Sequence, residues 1–153
     1  MQSTALPKRP LQDSLRRGAP DTGTRLRPRV LLVDDDQDTR EMYAWCLRAA
    51  GWIVETAADG DGALLLASTF EPNVIVMDVR LPTVDGIEAT RCLKASDLTK
   101  GIPIVACSGL DWPWADSLAR QAGCEEFVAK PCSPEELRTL LDHLVARPRA
   151  STP

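Results

Sequence analysis

A chain of 153 residues, 44 % apolar and with a net charge of −4, suits one globular domain with tails and is too short for two domains with separate cores. No apolar stretch approaches the ~18–20 residues of a membrane span, and the N-terminus lacks the apolar core of a secretory signal, so membrane insertion and export drop out and a cytoplasmic protein is expected. Residues 1–29 carry seven Lys/Arg against Asp13 and Asp21, a balance of +5 that leaves −9 on residues 30–153 and argues against nonspecific nucleic-acid binding by the folded part.

Residues 1–28 hold four prolines, several Ser, Thr and Gly, and no periodic apolar pattern, so they read as a disordered basic leader. The first apolar run, Val30–Val33, has the length and composition of a strand buried on both faces, and it closes on Asp34 and Asp35. Asp36 can cap a helix to Ala50, with Met42, Trp45, Cys46 and Ala49 on one face and Gly51 as its stop. Trp52–Thr56 reads as a second strand, about 60–69 as a short helix, and Asn73–Asp78 as a third strand that also ends on a carboxylate. Leu81–Gly86 is a turn, followed by a helix over about 86–96. Ile102–Ala106 forms the fourth strand and leads to Ser108-Gly109; a helix over about 112–122 stops at Gly123. Glu126–Ala129 is the last strand. After Lys130-Pro131, Ser133-Pro134-Glu135-Glu136 combines a capping box with proline in the first helical position. The helix it opens carries Leu137, Leu140, Leu141, Leu144 and Val145 on one stripe, and residues 147–153 are a disordered tail.

Five strands alternating with five helices imply an α/β domain over 29–146 with a mostly parallel, doubly wound sheet. In such a sheet, ligands bind beyond the C-terminal strand ends. Asp34, Asp35, Asp78, Ser108 and Lys130 all follow strand ends. Carboxylates gathered at one sheet edge repel each other unless a cation or a phosphoryl group sits among them. Two or three form a hard-oxygen site for Mg²⁺, and one can attack phosphorus to give an acyl phosphate. Lys130 offers an ammonium to a phosphoryl oxygen and Ser108 a hydroxyl donor.

The order VDD at 33–35, MDVRLPTVDG at 77–86, ACSG at 106–109 and AKP at 129–131 closely resembles the receiver domain of two-component response regulators, over about residues 29–146. The resemblance implies a flavodoxin-like sheet of order 2-1-3-4-5. It implies that Asp78 accepts a phosphoryl group from a histidine kinase or a histidine phosphotransfer protein. Mg²⁺ would be bound by Asp35 and Asp78, with Arg80 contributing its backbone carbonyl and Asp34 acting largely through water. Ser108 and Phe127 stand at the switch positions, and Arg80 and Leu110 at positions that tune phosphate lifetime. Partners would dock on the face of the fourth helix, last strand and last helix, where Trp112 or Trp114 offers an aromatic anchor; phosphorylation-linked homodimerisation belongs to the same picture.

On this basis the chain is expected to be a stand-alone phosphorylatable switch rather than an enzyme. An adaptor that binds partners without phosphorylation is the alternative, and the complete acidic set speaks against it. A phosphatase with an aspartyl intermediate typically wants a second carboxylate two residues after the nucleophile, where this chain has Arg80. After Val145 there is no room for a DNA-binding domain. Cys46, Cys92, Cys107, Cys124 and Cys132 show no metal-ligand spacing and read as reduced thiols, mostly small core residues. His143 lies off the leucine stripe and is expected in solvent.

Overall fold

Side chains that alternate between the two faces of five short strands set the architecture. The computed structural model describes residues 26–109 and 113–148. In chain order it contains β1 (Arg29–Val33), α1 (Gln37–Ala49), β2 (Ile53–Ala57), α2 (Gly60–Thr69), β3 (Val74–Asp78), α3 (Gly86–Ala95), β4 (Ile104–Gly109), α4 (Ala115–Ala122), β5 (Glu126–Lys130) and α5 (Pro134–Ala146). All strand pairs are parallel, in the order β2-β1-β3-β4-β5, which is the expected doubly wound sheet. Of the expected leader, residues 1–25 lie outside the described residues, as do 149–153 of the tail.

The period of two divides the core. Leu31, Val33, Ile75, Met77, Ile104 and Ala106 pack with α2, α3 and α4 on one face. Val30, Leu32, Val74, Val76, Val105 and Cys107 pack with α1 and α5 on the other. β3 is buried at every position because it is central and covered on both sides.

The helices start where their caps place them. Asp36, Asp59, Asp85 and Ser133 each accept a backbone N–H from the first turn of the helix that follows, and Ser133 with Glu136 completes the capping box. The α5 stripe packs as its spacing requires: Leu137, Leu141 and Leu144 are buried, and Leu140 and Val145 are packed at the margin.

Some elements differ from expectation. On α1 the buried side is Tyr43, Ala44 and Leu47, while Met42 and Trp45 are exposed. This helix is apolar on two sides, and the side with Tyr43, Ala44 and Leu47 is the one that packs toward β2 and α5. Strand β4 runs on through Ser108 and Gly109, because these residues still pair with Ala129 and Lys130 of β5. The fourth helix begins at Ala115, not near 112; Leu110, Asp111 and Trp112 lie outside the described residues, and Trp114 is exposed. Only Cys107 and Cys124 are core residues; Cys46 and Cys132 are half-buried and Cys92 is exposed.

Candidate functional site at the C-terminal edge of the sheet

Asp34 is the first residue past β1. Its Oδ1 accepts the backbone N–H of Asp36 at 2.9 Å, a side-chain turn that steers the chain into α1. Asp78 is the last residue of β3, and its Oδ1 accepts the N–H of Arg80 at 3.0 Å. Lys130 is the last residue of β5, followed by a cis Lys130–Pro131 bond. Its Nζ lies 2.7 Å from Asp34 Oδ2 and 3.3 Å from Asp78 Oδ2, joining residues 96 and 52 positions apart in the chain.

Strand alternation explains the grouping. Carried one residue past β1, it puts Asp34 on the α1/α5 side with Leu32; Asp78 follows Val76 and Lys130 follows Val128 on that same side. Ser108 has the opposite parity, with Ala106, which pairs with Phe127. Asp34, Asp78 and the ammonium therefore lie toward the α1/α5 side, Ser108 and Phe127 toward the α2–α4 side, and Asp35 joins its two neighbours from the loop past β1. Ser108 is 1 % exposed, with its Oγ 3.4 Å from the Gly109 carbonyl, and Phe127 is half-buried against the α2–α4 core.

Asp34 and Asp78 are both buried, whereas Asp35 is exposed. One carboxylate oxygen from each of the three lies within 4.8 Å of the others. Burial holds the Asp78 carboxyl above the usual range, against the pull of Lys130. For Lys130, burial acts downward, but Asp34 and then Asp78 outweigh it and hold the ammonium pKa above its ordinary value. Both directions fit the distances: the ammonium sits closer to Asp34, so Asp78 receives the weaker share of its charge. This donor set suits Mg²⁺, which takes one or two carboxylates and keeps several waters.

Three contacts around the site have no sequence signature. Arg40 Nη1 donates to the Asp34 carbonyl at 2.7 Å, and the Tyr43 hydroxyl donates to the Cys132 carbonyl at 2.6 Å. Gly86 presses its Cα side against the backbone of Asp78, so closely that a Cβ there would stand 1.9 Å from the Asp78 oxygen. The turn glycine was legible; the close approach was not.

The family model described as response regulator receiver domain matches residues 30–142. The chain belongs to this family. Over 116 residues the receiver domain is 32 % identical to the polar-differentiation response regulator DivK of Brucella anthropi, covering 75 % of this chain and 94 % of DivK. It is 31 % identical over 128 residues to the alkaline phosphatase synthesis transcriptional regulatory protein PhoP of Bacillus subtilis, covering 84 % of this chain and 52 % of PhoP; the chain spans about half the length of that relative. The solved receiver domain of the sensor histidine kinase PA1611 from Pseudomonas aeruginosa matches with a TM-score of 0.74 at 30 % identity, over 80 % of this chain and 100 % of that one. That structure has a magnesium ion coordinated in its active-site cleft. Among the described residues, no helix is long and apolar enough to cross a membrane.

Proposed function

We propose that this receiver domain is a phosphoacceptor switch in two-component signalling, with Asp78 taking its phosphoryl group from a histidine kinase or a histidine phosphotransfer protein. The observation that carries this reading is the ammonium of Lys130 held between two buried carboxylates, one of which ends the central strand. A carboxylate oxygen of Asp78 attacks phosphorus, the P–N bond to the donor imidazole breaks, and its electron pair leaves with the imidazole. The product is an acyl phosphate on Asp78. Lys130 is within reach of Asp78 to neutralise a phosphoryl oxygen as charge redistributes. Asp35 and Asp78, with the Arg80 backbone carbonyl and Asp34 through water, are the residues that would hold Mg²⁺. The metal, when bound, supplies further charge neutralisation.

Readout passes through the end of β4 and through β5. Ser108 would turn its hydroxyl toward the phosphoryl group, drawing the end of β4 inward and letting Phe127 follow. The face of α4, β5 and α5, with exposed Trp114 at its edge, would then change its affinity for a downstream protein target or a second copy of the domain. In this reading the receiver domain acts by docking, and its chemistry is limited to self-phosphorylation from small donors and loss of its own phosphate.

Incubation with Mg²⁺ and acetyl phosphate is expected to add one phosphoryl group, which peptide mapping by mass spectrometry places on the segment containing Asp78. A protein that gains no mass under these conditions would overturn the reading in favour of a phosphorylation-independent adaptor. Mg²⁺ alone should raise the melting temperature, because it binds only the folded form; at a hundredfold excess over its dissociation constant the gain is about 2.7 kcal/mol. An unchanged melting curve at millimolar Mg²⁺ would remove the metal from the proposal.

A further inference from the structure

Helix α1 touches both loops that carry the acidic site. Near its start, Arg40 Nη1 holds the Asp34 carbonyl at 2.7 Å. Three residues on, Tyr43 reaches across to α5's leading loop and donates its hydroxyl to the Cys132 carbonyl at 2.6 Å. The Tyr43 ring is buried in the core beneath α1 and α5, among Leu47, Leu137 and Leu141. Burial pushes its phenol up to about 12, so the hydroxyl remains a donor throughout the physiological range.

The backbone of the segment that Tyr43 grips has few other anchors. Lys130 ends β5, the edge strand, which pairs only with β4. Pro131 has no N–H to donate. Backbone anchoring resumes at Ser133, whose N–H is taken by the Glu136 side chain. A groove of about 380 Å³, lined by Thr39, Met42, Tyr43, Lys130, Pro131 and Cys132, opens beside the contact, and Cys132 packs only at the margin of the core. The long side chain of Lys130 has ample rotamer freedom, and its Nζ meets Asp34 and Asp78 only if its backbone is fixed.

We infer that Tyr43 is a positioning residue for Lys130: by holding the Cys132 carbonyl it fixes the loop that presents the ammonium to Asp34 and Asp78. A ring without a hydroxyl would fill the same core space, so the packing role and the tethering role are separable. The chemical consequence rests on the phosphoacceptor reading; the tether itself does not.

The test compares wild type with Tyr43→Phe and Tyr43→Met, which keep apolar bulk without the hydroxyl. At saturating Mg²⁺, the rate of phosphoryl uptake from acetyl phosphate is expected to fall roughly three- to tenfold in both variants, the scale of one hydrogen bond, while the Mg²⁺ dissociation constant read from melting curves stays within about twofold. Brief treatment with acetic anhydride, quantified by mass spectrometry, gives a second readout. Lys130 labelling relative to the exposed Lys100 should rise at least about threefold in the variants, because a loosened ammonium leaves its carboxylate partners more often. An uptake rate equal to wild type, or an unchanged Lys130-to-Lys100 labelling ratio, would overturn the positioning role. Absence of uptake in wild type would instead sink the phosphoacceptor reading, and the labelling ratio would then decide the tether alone.

Discussion

Asp78→Asn is expected to abolish phosphoryl uptake from acetyl phosphate and, in metal-free buffer at neutral pH, to raise the melting temperature by a few °C, a scale at which one kcal/mol moves a domain of this size by several degrees. Loss of uptake follows from removing the attacking oxygen. The gain in stability follows from electrostatics. Burial holds the Asp78 carboxyl above its usual range, so the folded protein binds that proton more tightly than the unfolded chain does. This group's contribution to stability is therefore fully present at acid pH and declines as the pH rises through the folded-state value. At neutral pH the wild type carries a buried charge that Lys130, shared with Asp34, only partly offsets. The amide is free of that charge. Two further outcomes follow: the gap between the proteins should close as the pH falls into the acid range, and saturating Mg²⁺ should narrow or invert it, because the wild type gains more binding energy than the variant. Melting curves from acid to neutral pH, with and without Mg²⁺, check all of this; a variant less stable than wild type in metal-free neutral buffer would contradict the electrostatic account.

The second large effect lies in the backbone. Gly86→Ala should destabilise the protein by about 3 kcal/mol or more, with phosphoryl uptake falling alongside. The added Cβ would stand 1.9 Å from the Asp78 carbonyl oxygen and 2.9 Å from both the Asp78 carbonyl carbon and Val79 Cα. All three are backbone atoms of the central strand's end, where Gly86 N also donates to the Val79 carbonyl at 2.9 Å. They cannot rotate aside as a flexible side chain would. Either α3 shifts away, opening the core around Ile87 and Leu93, or the peptide carrying Asp78 tilts and moves its carboxylate off Lys130. Gly101→Ala is the control, because nothing lies within 4 Å of a Cβ there. Equal melting temperatures for the Gly86 variant and wild type would show that the strand end yields more easily than its packing implies.

Much of this was readable from residue order, and the reasons are local. Aliphatic runs that end on carboxylates identify buried parallel strands, and caps such as Asp36 and Ser133 mark helix starts through bonds spanning only three residues. The leucine spacing of α5 allows one buried stripe. The spacing of α1 allows two, and which one faces inward depends on neighbours distant in sequence, so Met42 and Trp45 emerged on the outside. The length of β4 was likewise hidden, because Ser108 and Gly109 are strand residues only by virtue of partners on β5. Arg40 and Tyr43 were invisible for a related reason: each bonds to a carbonyl, a group that every residue has and that leaves no mark in a motif. The cleft could thus be anticipated while the struts holding it could not.

The pleat that sends Asp34, Asp78 and Lys130 to one side and Ser108 and Phe127 to the other turns the sheet into a partition wall. Helix α5 packs on the first side and α4 on the second, so β5, which carries Phe127 and ends on Lys130, is the one described strand with a residue in each set. A substitution that shifts β5 is therefore expected to be felt on both sides of the wall at once.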